Sequence, residues 1–451
     1  MTTATDRLLA HALGAEWDML PAEAQMAAIT FLHDTLCVGV AGRAAPDADA
    51  IRAAAGGWSG PGPCLLLGRP GDSTTAPYAA FINAYQIHAQ EFDCVHEPAI
   101  AHPMATVFAA LLADAGRAGP RDGATLLTAL AVGVDIVATL GVAVTTPLRF
   151  FRPATAGIFG SVAALCRLRR LPLETARRAF GHALAFASGT MQAHLEGKPT
   201  LPLQVAAAAR SAVEALDLAM AGIDAPRQSI DGPFGYLSLF EGGFDLDAPL
   251  AALGRRWRVT ELSWKPFPTG RAAHGAIVAT RQLMAEGLRM EDVERLVYHA
   301  PPLIARLVGR AAIDGMGPAH ARLCFPYLGA VVLRRGAVGL DDFTPERLAD
   351  PETMALAARL SVRADGNPDP AAFVPAVLEA TLRDGRVLRH AVTRQFGSPE
   401  WPLSREEHLA KAQACLRFGG QGAIHERLAG LMPVLAAERD AVGALHGVLA
   451  T

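Results

Sequence analysis

The chain has 451 residues, 51% of them apolar and 19% charged, and a formal charge of −3. That composition describes a globular chain long enough for two or three domains and excludes disorder as its organising state. Near-neutral charge without any Lys- or Arg-rich block leaves no field to hold nucleic acid, so no nucleic-acid partner is expected.

The opening residues, MTTATDRLLAHALGAEWDMLP, lack a positive stretch followed by an apolar one, so no signal peptide and a cytoplasmic location are expected. From about residue 20 to 255 apolar residues recur at helical spacing, broken by Gly and Pro. AEAQMAAITFLHDTLCVGVAG and QVAAAARSAVEALDLAMAG end on Gly42 and Gly222, each placed where a helix C-terminus favours a left-handed residue. GATLLTALAVGVDIVATLGVAV is interrupted by Asp135 and lacks flanking anchors, so it reads as buried helix and no membrane partner is expected. After Lys265 the pattern changes. HGAIVATRQLMAEG is one more helix, but VERLVYHA, ARLSVRAD and FVPAVLEATLRDGRVLRHAV read as strands, the last folded into a hairpin at Asp384-Gly385. Beyond about residue 400 the chain is helical again. The expected architecture is mainly α with α+β. A large all-helical domain is built from both termini (1–264 and 398–451), and a smaller α+β lid domain (265–397) is inserted into it. Six cysteines without CxxC spacing point to reduced thiols and against a zinc ribbon or disulfide framework.

Three features point to chemistry. The first is lysine scarcity: of 41 Lys and Arg residues only Lys198, Lys265 and Lys411 are lysine. A lysine kept in so arginine-rich a chain is a candidate for a task arginine cannot do, such as losing a proton or acting as a compact charge. Lys265, in SWKPFPTGRAAH, is the strongest case; Lys411, in an amphipathic run, reads as drift. The second is a set of basic residues directly before proline: His102, Arg152, Lys198 and Lys265. Such junctions place a cation near a helix N-terminus, where backbone N–H groups also favour an anion. The third is the polar run NAYQIHAQEFDCVHEPAIAHP, which sets His88, Glu91, Asp93, His96, Glu97 and His102 within fifteen residues. Its spacing across a proline matches no compact zinc motif, and no metal is expected. A hydrogen-bonded cluster that caps helices is one reading. A carboxylate-histidine set for acid-base work, with Asp93 orienting a histidine and His102 moving a proton, is another. Thr269 is the expected N-cap of a helix whose first turn carries His274. With no phosphate-binding loop, dinucleotide fingerprint or nucleophile elbow, no cofactor is expected.

The segments FLHDTLCVGVAG with Asp34, AAFINAYQIHAQEFDCVHEPAIAHP, ASGTMQAHLEG, IDGPFGYLSLF, KPFPTGRAAHGAI, CFPYLGAVVLRRG and GSPEWPLSREEHLAKAQAC together resemble the MmgE/PrpD family nearly end to end. Its members include 2-methylcitrate dehydratase, cis-aconitate decarboxylase and iminodisuccinate epimerase. The resemblance implies a helical domain plus an α+β lid, a homodimer, and a metal-independent site between the domains. It carries site roles onto Asp93, His102, Lys265, His274 and Tyr327. The chain departs from the family pattern where Arg152 takes a histidine position, where Leu201 and Gln204 replace a lysine and a histidine, and where Cys94 replaces the second aspartate of a pair. Lys198 lies one turn before the missing lysine. The implied function is a cofactor-independent lyase acting on a small di- or tricarboxylate by α-proton abstraction and elimination, as in a dehydratase. An epimerase or decarboxylase is the alternative, and an inactive carboxylate-binding relative the alternative of another class. Lys265, His274, Asp93 and His102 are the expected catalytic residues; Arg152, Lys198, Arg271, His88 and Tyr327 are the expected substrate-binding residues.

Overall fold

The computed structural model describes residues 3–450; residues 1, 2 and 451 of the expected helical domain lie outside the described residues. Eight helices carry most of the N-terminal half: α1 (Ala4–Gly14), α2 (Ala22–Gly42), α3 (Ala76–Ala89), α4 (Pro103–Ala118), α5 (Gly123–Val142), α6 (Gly157–Leu168), α7 (Leu173–Phe186) and α8 (Thr200–Met220). Shorter helical turns join them. α8 packs against α3, α6 and α7, while α4 lies against α3, α5 and α6. The alanine and glycine content explains how so many helices approach closely. At the α5–α6 crossing, a Cβ on Gly160 would stand 2.5 Å from the carbonyl oxygen of Gly133, so neither backbone could approach with a larger residue there.

Gly222 has the expected left-handed conformation, with φ of 85°. Gly42 does not. Its role is close approach, because a Cβ there would lie 1.8 Å from the carbonyl oxygen of Gln86 on α3. The apolar helix α5 is buried in the protein core, 94% of its most hydrophobic window being covered. Asp135 in its middle accepts from the backbone N–H of Arg258 at 2.7 Å and pairs with His11 at 3.0 Å, so the buried carboxylate is satisfied. The alternating signal was too short to reveal a two-stranded ribbon, β1 (Cys64–Leu65) and β2 (Ser73–Thr74).

The C-terminal half holds a four-stranded mixed sheet of β3 (Val293–Ala300), β4 (Leu360–Ala364), β5 (Ala376–Leu382) and β6 (Val387–Val392), in the order β4-β3-β5-β6. β3 and β4 run parallel and the other pairs antiparallel. All three strand segments read from the sequence are present. The hairpin closes as expected: Gly385 is left-handed at φ 85°, and Leu382 N–H donates to Arg386 O at 2.8 Å. Ala376, Leu378, Ala380 and Leu382 alternate inward on β5, where α9 (His274–Ala285) and α10 (Phe325–Arg335) cover the sheet.

Two hydrophobic cores result. One gathers α1–α8 with residues of the last segment, from Ala412 to Leu449; the other lies between Phe267 and Val392. The helix α11 (Arg405–Phe418), opened by a capping box at Ser404 and Glu407, returns the chain to the first core against α2.

Candidate active site

α3 ends within the polar run, at Ala89, and its last turn carries His88. The chain then turns through Glu91 in a left-handed conformation (φ 49°), which costs a non-glycine residue about 1 kcal/mol. The segment is fixed from outside. Val95 and Ser263 exchange two backbone hydrogen bonds at 3.0 and 2.8 Å, which lays residues 263–265 beside residues 93–95. That pairing brings Lys265 to Glu91 at 2.6 Å and to Asp93 at 3.9 Å, across more than 170 residues of sequence. A second turn closes where His96 N–H donates to Ala101 O at 2.9 Å, and it delivers His102 to the N-cap of α4.

The central unit is one carboxylate with two imidazoles. Asp93 Oδ2 lies 3.0 Å from His88 Nδ1 and 3.1 Å from His102 Nδ1, and Asp93 is fully buried. Burial opposes ionisation of Asp93, but the two histidines outweigh it and hold the carboxyl well below the usual range. The histidines then diverge. Burial works against the cation of His88, yet Asp93 and Glu91 reverse this and raise its pKa; burial and Lys265 lower that of His102 despite Asp93. Glu91 is largely buried, which opposes its ionisation, but Lys265 and the histidines bring it down to about 2. Among the described residues His88 Nε2 is buried without a hydrogen-bond partner, 3.9 Å from Glu91 Oε1.

His88, Glu91 and His102 line a cavity of about 580 Å³, counted to its open mouth, with Arg271, His194 and a wall of apolar side chains. A neighbouring cavity of about 840 Å³ shares His88, Glu91, Leu201 and Leu323 with it and adds Lys198 and Arg322. The seam between the two cores therefore presents two imidazoles, shifted in opposite directions, on a concave surface.

The remaining expected site residues are placed as follows. Lys265 is fully buried and stands behind Glu91. His274, also fully buried, has Nδ1 3.2 Å from Arg271 Nη1 and Nε2 3.4 Å from Thr269 O; burial and the charges of Arg271 and Lys265 push its pKa well down. Its helix starts at His274 itself after a 3-10 turn, so Thr269 is not the N-cap. Arg271 is held by Glu97 at 2.8 Å and by the carbonyls of Trp264 and Phe396. Arg152 does not line either cavity. Its guanidinium pairs with both oxygens of Glu241, at 3.0 and 3.2 Å, and donates to Ala99 O at 2.6 Å. Tyr327 lies in the second core, its hydroxyl donating to the carbonyl of Asp342. Three of the four basic-proline junctions stand at helix starts, but Lys265-Pro266 opens a loop.

The dense polar run divides in two. His88, Glu91, Asp93 and His102 form the cluster, whereas His96 and Glu97 brace the loop. His96 pairs with Glu261 at 2.7 Å, and Glu97 accepts from Ser263 Oγ at 2.6 Å. Glu91 was present in that run without an assigned role; its left-handed backbone could not be read from a glutamate. Lys411 is no surface drift. It is buried, pairs with Asp34 at 2.8 Å and donates to the carbonyl of Phe92, the residue before Asp93, at 2.9 Å. His194 and Arg322 were also missed, since nothing local distinguishes them from other basic residues. At the departures, Leu201 faces both cavities, Gln204 turns to the backbone of Thr190, and Cys94 is a buried thiol whose pKa burial raises. His88, Asp93 and His102 also set three ligand atoms within 4.8 Å, a donor set chemically suited to a divalent metal, although the charge of Lys265 opposes one there.

Comparison with known proteins agrees with this arrangement of segments. The chain matches the MmgE/PrpD N-terminal domain over residues 6–249 and the MmgE/PrpD C-terminal domain over residues 267–428. It is 27% identical over 366 residues to the cis-aconitate decarboxylase of Mus musculus, covering 77% of this chain and 73% of that protein. With the cis-aconitate decarboxylase of Homo sapiens it shares 26% identity over 365 residues, covering 77% and 74% respectively. Two domain matches that span most of the chain and meet at the cavity-bearing seam place this protein in the MmgE/PrpD family.

Proposed function

We propose that this protein is a lyase that acts on a small di- or tricarboxylic acid, removing a proton next to a carboxylate and expelling water. One observation carries this reading: two imidazoles share Asp93 Oδ2 while their environments push their pKa values in opposite directions. Paired groups separated in this way are suited to act as base and acid at one pH. His102, with Nδ1–H held by Asp93, offers the lone pair of Nε2 to the substrate carbon. His88, kept cationic by Asp93 and Glu91, offers its unpartnered Nε2–H to the departing hydroxyl. The C–H and C–O bonds break, a carbon–carbon double bond forms, and water leaves. His102 ends protonated and His88 neutral, and exchange with solvent resets both. The N-termini of α4 and α8, with Lys198 and Arg322, favour the negative charge that develops on the carboxylate. Lys265 and Arg271 act by holding Glu91 and Glu97 in place, and the buried His274 supports Arg271.

Decarboxylation is the second reading, favoured by the two relatives named cis-aconitate decarboxylase. Incubation with a panel of hydroxy and unsaturated di- and tricarboxylic acids in heavy water separates the readings. An unsaturated product with loss of water supports the lyase. Release of CO2 moves the assignment to decarboxylase, and deuterium uptake without conversion moves it to epimerase. Silence across the panel would leave only carboxylate binding. In the active case, His102→Gln and His88→Gln should each lower turnover by about 10²-fold or more.

A further inference from the structure

The two joined cavities differ sharply in how their charges are matched. In the first, Arg271 is neutralised by Glu97, and the shared wall residue Glu91 is neutralised by Lys265. Apart from His88, His102 and His194, the rest of that end is apolar, with Ile100, Leu148, Phe151, Leu307, Val308 and Phe373 among its lining. Arg306 stands at its rim, exposed, and donates to the carbonyl of Leu148 at 2.8 Å. The second cavity is cationic. Lys198 and Arg322 line it, and neither has an acidic partner among the described residues. Arg322 instead donates to the carbonyls of Gln90 and Pro268 at 3.0 and 2.8 Å. Arg310 belongs to the same end. A Cβ on the lining residue Gly197 would be 3.1 Å from its Nη1, and that atom is buried without a hydrogen-bond partner among the described residues, while Nη2 donates to His194 O at 2.8 Å. The acid that lines this end besides Glu91 is the exposed Asp47. His88 lines both cavities, and His102 lines the first.

Resting on the carboxylate reading above, we propose that the substrate is a dicarboxylic acid bearing an aliphatic substituent, held with its carboxylates toward Lys198, Arg310 and Arg322 and its aliphatic group among Leu148, Leu307 and Phe373. Three cations opposed by one exposed acid match two carboxylates. A third carboxylate would have to enter the apolar end, where Arg271 is already paired with Glu97, Arg306 stands exposed at the rim, and desolvation penalises the extra charge. Leu201, which faces both cavities, continues the apolar wall up to the cationic end. An alkyl group placed there leaves water against a preformed apolar surface, at about 0.8 kcal/mol for each buried methylene.

Calorimetric titration of the full chain with succinate, 2-butylsuccinate and propane-1,2,3-tricarboxylate tests this without any need for turnover. The butyl compound should bind about ten-fold or more tightly than succinate, and the tricarboxylate no more tightly than succinate. In Leu307→Gln, at a partly exposed position that tolerates a polar side chain, the ratio of the butylsuccinate and succinate affinities should fall toward one. Tightest binding by the tricarboxylate, no advantage from the butyl group, or an unchanged ratio in the variant would each overturn the inference while leaving the carboxylate reading intact. Failure of all three acids to bind would overturn the carboxylate reading and this inference with it.

Discussion

The Arg152–Glu241 pair offers a test that needs no substrate. Both side chains are almost fully buried, and the carboxylate receives the Nε–Nη2 edge of the guanidinium and, at 3.3 Å, the hydroxyl of Tyr236. If this arginine is structural, Glu241→Gln leaves a buried cation with only the carbonyl of Ala99 and a neutral amide to answer it. Removing one partner of a buried ion pair costs about 3–5 kcal/mol. For 451 residues, an unfolding entropy of about 2 cal/mol/K per residue makes 1 kcal/mol worth roughly 1 °C, so Tm should fall by about 3–5 °C. The double replacement Arg152→Met with Glu241→Met removes both charges and should recover most of that loss. The assay is thermal denaturation at pH 7, supported by urea titration. A Glu241→Gln protein within about 1 °C of its parent would refute the reasoning, and Arg152 would again be available as a carboxylate clamp.

Asp93→Asn keeps the shape of the carboxyl but removes the charge that raises His88. Turnover should fall by about 10²- to 10⁴-fold. The parent rate should rise with pH as His102, lowered below its ordinary value, loses its proton, and fall as His88, raised above it, loses its own. In the variant the alkaline limb should move to lower pH, and an unmoved limb in the pH–rate profile would remove His88 from the mechanism. Lys411→Met strands Asp34, whose carboxyl is already raised by burial against the pull of Lys411. A carboxyl with its folded pKa above the unfolded one binds the proton more tightly in the native state, so its penalty grows as pH rises through that window and vanishes below it. Urea titrations should therefore show the variant destabilised by about 3–5 kcal/mol at pH 8 and by less at pH 5; a deficit independent of pH would contradict the assignment.

Much of the architecture is local information and was legible as such. The period of the apolar residues marks the helices, alternation and Asp384-Gly385 mark the strands and hairpin of the second core, and Gly222 marks a helix end. The run from His88 to His102 could be recognised as the chemical centre because six titratable residues lie together in the chain. Gly42 shows the limit of such reading, because its partner is a carbonyl on another helix and only packing reveals the contact. The same holds for charge. A lysine or arginine has one appearance in sequence, whether it meets a substrate or a carboxylate of the protein itself. Glu241 is 89 residues from Arg152, Glu91 is 174 from Lys265, and Asp34 and Lys411 come from opposite ends of the chain. Sequence alone determined which residue types were available and which elements would carry them. Tertiary structure decided which cations were consumed by buried acids and which were left facing the cavity, because the cost of burying an unpaired charge is settled only when distant segments pack.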